Sequence, residues 1–70
     1  ITLDRAWNET PLSVVLRSMG LVASSSEALR LIRQGAVKIN EERREINDPV
    51  VFSVGDIVRV GKKRLIRLVD

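Results

Sequence analysis

Seventy residues with 44% apolar content suffice for one domain with one modest core and leave no room for two. The chain has no cysteine and no histidine, which excludes a disulfide framework, a cysteine- or imidazole-held metal and any Ser-His or Cys-His nucleophile, so no catalytic site is expected. The formal net charge is +3 and unevenly placed: residues 1–29 hold Arg5 and Arg17 against Asp4, Glu9 and Glu27, while residues 30–70 hold the other ten of the twelve cations. Concentrated basic charge is the footprint of a polyanion binder, although many proteins that bind none share it. Apolar runs are only a few residues long, so no membrane span or signal peptide is expected, and the chain reads as a soluble, cytoplasmic protein. Ile1 stands where a starting methionine would. With no catalytic equipment, the chain reads as a module of something larger.

Residues 1–9 mix Leu3, Trp7 and charges without periodicity and are assigned to an arm or linker end with no element; residues 10–70 are assigned to a single domain. Thr10 followed by Pro11 reads as a helix N-cap and first position, and Leu12, Val15, Leu16 and Met19 then recur at helical spacing up to Gly20. Val14 points off that stripe, toward Trp7 or toward a contact outside the domain. Ser24 three residues before Glu27 forms a capping-box pattern that opens a second helix, closed at Gly35. Its apolar arc holds Ala28, Leu29, Leu31 and Ile32, and the opposite arc holds Ser26, Glu27, Arg30, Arg33 and Gln34. So short a link makes the helices a pair of the helix-turn-helix type. The period then changes to two. Val37 and Ile39 alternate with Lys38 and Asn40, a polar turn NEERRE follows, and Val50–Phe52 is a short apolar segment before a turn at Val54–Asp56. Strands are expected at Ile57–Val60 and Leu65–Val69, joined by Gly61–Arg64. The plan is α+β: a helix pair followed by a small antiparallel sheet.

Three groups of cations are candidate phosphate contacts. Arg30 and Arg33 share the outer arc of the second helix, near a helix N-terminus with free N–H groups; the competing reading is a solvated face with Glu27 and Arg30 as an ordinary pair. Lys38, Arg43 and Arg44 lie about the turn after Asn40, among Glu41, Glu42 and Glu45, so a solvated hairpin tip competes equally. Lys62, Lys63 and Arg64 are adjacent cations that repel one another; a phosphate backbone would relieve this, and a solubilising turn or edge guard is the alternative. Trp7 and Phe52 are too few to build a base-stacking platform, which points away from single-strand readers and toward a folded RNA.

The segment GLVASSSEALRLIRQGAVKIN closely resembles the core of the RNA-binding domain named after ribosomal protein S-four. Gly20, Leu21, Ser24, Glu27, Ala28, Ile32, Gly35, Val37 and Asn40 occupy that domain's pattern, and Ile39 replaces a valine. Ser25 and Leu29 stand where cations are frequent, and Glu41 stands where glycine follows the asparagine. VGKKRLIRLV resembles the closing strand pair of bacterial-type tyrosyl-tRNA synthetases. The resemblance implies a C-terminal tRNA-binding domain, with Arg30, Arg33, Lys38, Arg43, Arg44, Lys62, Lys63 and Arg64 on phosphate and Ser24, Ser26, Gln34 and Asn40 as polar contacts or turn-holders. It implies tRNA(Tyr), with its long variable arm and anticodon stem, as partner. It also implies ATP and aminoacylation in a catalytic domain elsewhere in the parent, no cofactor or metal in this part, and a parent homodimer. Two alternatives are an S-four module of a ribosome-associated or RNA-modifying protein and a protein-docking module using Val14 and Trp7.

Overall fold

A computed structural model describes all of residues 1–70. Residues 1–9, given no element above, contain a 3-10 helix at Arg5–Glu9. Its start is capped by the Asp4 carboxylate, which accepts from the Ala6 N–H at 2.9 Å, and the Thr10 hydroxyl donates to the Ala6 carbonyl at 2.7 Å. Thr10 therefore closes this helix instead of capping the next one. The segment is also joined to the chain's other end: Thr2 bridges Val69 in parallel, with the Leu3 N–H on the Val69 carbonyl at 2.8 Å.

Helix α1 spans Leu12–Ser18, with Pro11 at the N-cap and no capping side chain from its own segment. The cap comes from Asn47, whose Oδ1 accepts the Ser13 N–H at 2.7 Å across 34 residues of chain. Leu12, Val15, Leu16 and Met19 are buried as their spacing requires, and Val14 points to solvent, 43% exposed. Helix α2 spans Ser25–Arg33 and inserts Ala28 and Ile32 into the core. Gly35 follows with φ +73°, where a side chain is disfavoured. There the Gly35 and Ala36 N–H groups return to the Ile32 and Leu31 carbonyls, which satisfies the helix end and turns the chain into a strand.

The sheet is antiparallel, in the order β2-β1-β3-β4, with β1 at Val37–Ile39, β2 at Glu42–Arg44, β3 at Ile57–Val60 and β4 at Arg64–Arg67. Half of the expected polar turn NEERRE, Glu42–Arg44, is thus a strand. Only Asn40 and Glu41 turn, both at positive φ (53° and 69°), the two-residue geometry that matches strand twist. Glu41 holds this conformation without a glycine, at a cost of about 1 kcal/mol. Asn40 holds the turn: its Oδ1 accepts the Ile57 N–H at 2.9 Å and its Nδ2 donates to Asp56 at 2.9 Å. Asp56 in turn accepts from the Ser53 N–H at 2.8 Å.

Val50–Phe52 forms no ladder. Val50 and Phe52 are buried, Val51 is 76% exposed, and the Phe52 N–H donates to Asn8 Oδ1 at 2.8 Å. Trp7 meets the Phe52 ring edge-to-face at 6.3 Å, so it packs there and not on Val14. One apolar cluster joins both helices to the inner face of the sheet, with Leu12, Leu16, Ile32, Val37, Val58 and Leu68 fully buried. Each buried Leu or Ile contributes about 1.5–3 kcal/mol. The helix pair and antiparallel sheet are as the sequence leads one to expect, and no helix is long and apolar enough to cross a membrane.

Because Asn47 is the cap of α1, Asn47→Ala should lower unfolding free energy by about 1 kcal/mol and speed hydrogen exchange in the first turn of α1. Denaturant melts and amide exchange measure both; no change in either would mean that solvent caps the helix equally well.

Candidate nucleic-acid interface

Pairing register decides which cations share a face. Lys38 on β1 is directly opposite Arg43 on β2 and Arg59 on β3, so these three form a row across the face of the sheet turned away from the helices. Arg59 was not singled out from the sequence. The signal was present in the alternation of Ile57-Val58-Arg59-Val60, but reading it needs the β1–β3 register. Arg44, beside Arg43 in sequence, faces the other way. Its Nε is buried without a hydrogen-bond partner, and its guanidinium lies 3.9 Å from Glu42. The two adjacent arginines therefore do not form one site.

Arg43 lies over the end of α2: a Cβ added to Gly35 would come within 3.0 Å of Arg43 Cδ. This places a guanidinium by the helix C-terminus, where the macrodipole favours positive charge. Arg43 is also 3.8 Å from Glu45, and Arg59 is 3.5 Å from Glu41. Lys38 has no carboxylate within ion-pair distance.

The β3–β4 turn comes alongside α2 because the Gly61 N–H donates to the Ala36 carbonyl at 2.8 Å. Between them lies an open groove of about 460 Å³, lined by Glu27, Arg30, Lys62, Lys63 and Arg64 among others. Lys62 also lines a second depression with Lys38 and Arg59, so the helix, turn and sheet cations form one continuous surface. Arg33 and Gln34 are exposed at the end of α2, and Ser26 is exposed in its first turn; none of them lines the groove.

Three of the expected site residues also make hydrogen bonds within the fold. Ser24 caps α2, its hydroxyl accepting the Glu27 N–H at 3.2 Å, and Asn40 is the turn-holder described above. Arg64 stays exposed but leans onto α2: Nη1 donates to the Leu21 carbonyl at 2.9 Å and to Glu27 Oε1 at 3.1 Å. The fold thus ties one member of the cation run to α2 while leaving it at the surface. Glu27 reaches one residue further back than a reciprocal capping box requires, its Oε2 accepting the Ala23 N–H at 3.2 Å.

The order of elements and the string from Gly20 to Asn40 can now be compared with known proteins. A family model described as the S4 domain matches residues 10–58. The chain belongs to the S4 domain family. The matched residues run from the approach to α1 into β3, so they include both helices, the Asn40–Glu41 turn and the Lys38 side of the surface. Among similar proteins are tyrosine–tRNA ligases. That of Francisella tularensis is 40% identical over 63 residues, covering 87% of this chain and 16% of the relative. That of Moorella thermoacetica is 44% identical over 68 residues, covering 93% and 15%. That of Dehalococcoides mccartyi is 43% identical over 63 residues, covering 89% and 15%. The S4 domain chain therefore spans only a small part of the length of the curated relatives it matches, and its similarity reaches past the family model to include the β3–β4 turn.

The Arg64 hydrogen bond, then the Ala23 N–H, hold the Glu27 carboxyl below its ordinary value of 4.5. A carboxylate whose pKa is lower folded than unfolded adds stability in full above the unfolded value, and loses it as pH falls through the folded one. Wild type and Glu27→Gln should therefore differ in stability at neutral pH and converge as pH drops below 4.5. Thermal melts across that range test this; a gap that stays constant with pH would remove ionisation of Glu27 from the account.

Proposed function

We propose that this chain is the tRNA-binding module of a tyrosyl-tRNA synthetase, gripping the phosphate backbone of a folded RNA through Arg30, Lys62, Lys63 and Lys38, with Arg33, Arg43 and Arg59 at the margins. The observation that carries the reading is the meeting of α2 and the β3–β4 turn, which brings cations from distant parts of the sequence to one groove. Arg30, Lys38, Lys62 and Lys63 have no carboxylate within ion-pair distance, so their charge is available to a polyanion. The tyrosine–tRNA ligase names of the relatives support tRNA(Tyr) as the RNA. Tyrosine activation with ATP, and dimerisation, belong on this reading to parts of the parent outside these residues. The lack of an aromatic platform on the cationic surface favours recognition by backbone and shape. The protein-docking alternative is weakened because Trp7 is partly buried against Phe52, which leaves Val14 as the more exposed of its two residues.

Neutralising about four to six phosphates gives a plot of log K against log salt concentration a slope of roughly −3 to −5. Titration of a tRNA bearing a long variable arm at several salt concentrations measures it, and a flat plot would exclude the electrostatic grip. Competition with ribosomal RNA fragments separates the tRNA reading from a ribosome-associated one.

Replacing both Lys62 and Lys63 by alanine should weaken binding more than Arg17→Ala, and should make the salt slope shallower by about two. Arg17 lies on α1, outside the groove. Equal effects of the two changes would show that the RNA lies elsewhere.

A further inference from the structure

Within the groove, Glu27 is the exception. Coulomb's law makes a carboxylate among phosphate-binding cations a repulsive element, yet this one is held from two sides and its backbone from a third. Its Oε2 accepts from the Ala23 N–H, its own N–H donates to Ser24 Oγ, and its Oε1 accepts from Arg64. Arg64 also donates to the Leu21 carbonyl, so it spans the loop before α2 and the first turn of α2 itself. On the other side of the turn, Gly61 is bonded to Ala36, at the end of α2. Lys62 and Lys63 hang between these two anchors, one at each end of the helix. The Val60–Arg64 pair of the β3–β4 ladder closes the turn at its base, and these two anchors set where the closed turn sits against α2.

We propose that Glu27 and Arg64 are positioning residues for the cationic turn, fixing Lys62 and Lys63 beside Arg30 so that one RNA backbone meets all three. The inference rests on the reading of the groove as an RNA site and deepens it. It assigns the Arg64–Glu27 contact a purpose beyond stability, and it explains why an anion is tolerated in the groove. An unpinned turn would present the same charge, but its lysines would have to be ordered at the moment of binding, which lowers affinity.

The two accounts of Glu27 predict opposite signs. If Glu27 acts only through its charge, Glu27→Ala should tighten RNA binding. If it positions the turn, Glu27→Ala should weaken binding of a structured tRNA by roughly three- to tenfold, the scale of re-ordering a rotamer-rich side chain. Amide order parameters at Gly61–Lys63 should then fall from about 0.85 toward 0.6 or below. Arg64→Lys keeps the charge but loses the planar fork, and should do the same. Unchanged or tighter binding overturns the proposal whatever the turn does, and so does weaker binding with an unaltered turn. Should Glu27→Ala fail to fold, Arg64→Lys decides on the same two readouts. If the wild-type chain binds no RNA, the functional reading fails, and the order parameters of wild type and Arg64→Lys alone judge the positioning pair.

Discussion

Gly35 lets the chain leave α2 and enter β1 with only three residues between them, and the meeting of the helix and turn cations depends on that abrupt passage. A left-handed residue is needed to return two N–H groups to the helix's last carbonyls, and space is needed because Arg43 crosses above. The next residue, Ala36, then has its carbonyl in position to receive Gly61. A longer connection would break this link and separate the turn lysines from Arg30. The apolar faces would still have something to pack against, but the cations would no longer meet.

Much of this was legible in the sequence because it is local. The apolar stripe Leu12-Val15-Leu16-Met19, the Ser24 cap, the end at Gly35 and the alternation around Lys38 are all set by residues within a turn or a strand of one another. What escaped depends on partners far along the chain. Thr10 and Pro11 carry a familiar start signal, but Thr10 is taken by Ala6 and the cap of α1 comes from Asn47. Glu42–Arg44 looks like part of a turn because its residues are charged, and it becomes a strand by pairing with β1. Among the site residues, the type of each cation was legible but its direction was not. Arg43 and Arg44 part to opposite faces, Arg64 is tied to Glu27 and Leu21, and Arg59 joins the row through register alone.

The distribution of ion pairs sharpens the electrostatic picture. Four arginines, Arg43, Arg44, Arg59 and Arg64, have carboxylate neighbours, and most of these pairs are long and solvent-exposed. Such contacts contribute little to stability and exchange readily with other anions. The cations left without carboxylates include the groove and sheet lysines and the α2 arginines, besides Arg5, Arg17 and Arg67. Net charge of +3 therefore understates the charge that an approaching polyanion meets.

The asparagines Asn8 and Asn47 act as reciprocal clips. Asn8 holds the backbone of Phe52, and Asn47 holds the backbone of Ser13, so the 3-10 helix, the start of α1 and the irregular loop before β3 are stitched crosswise. Neither segment has a ladder of its own to fall back on. Both clips hold segments that feed the one apolar cluster, Leu12 beside Ser13 and Phe52 itself, so two amide side chains decide how irregular backbone delivers its apolar residues to the core.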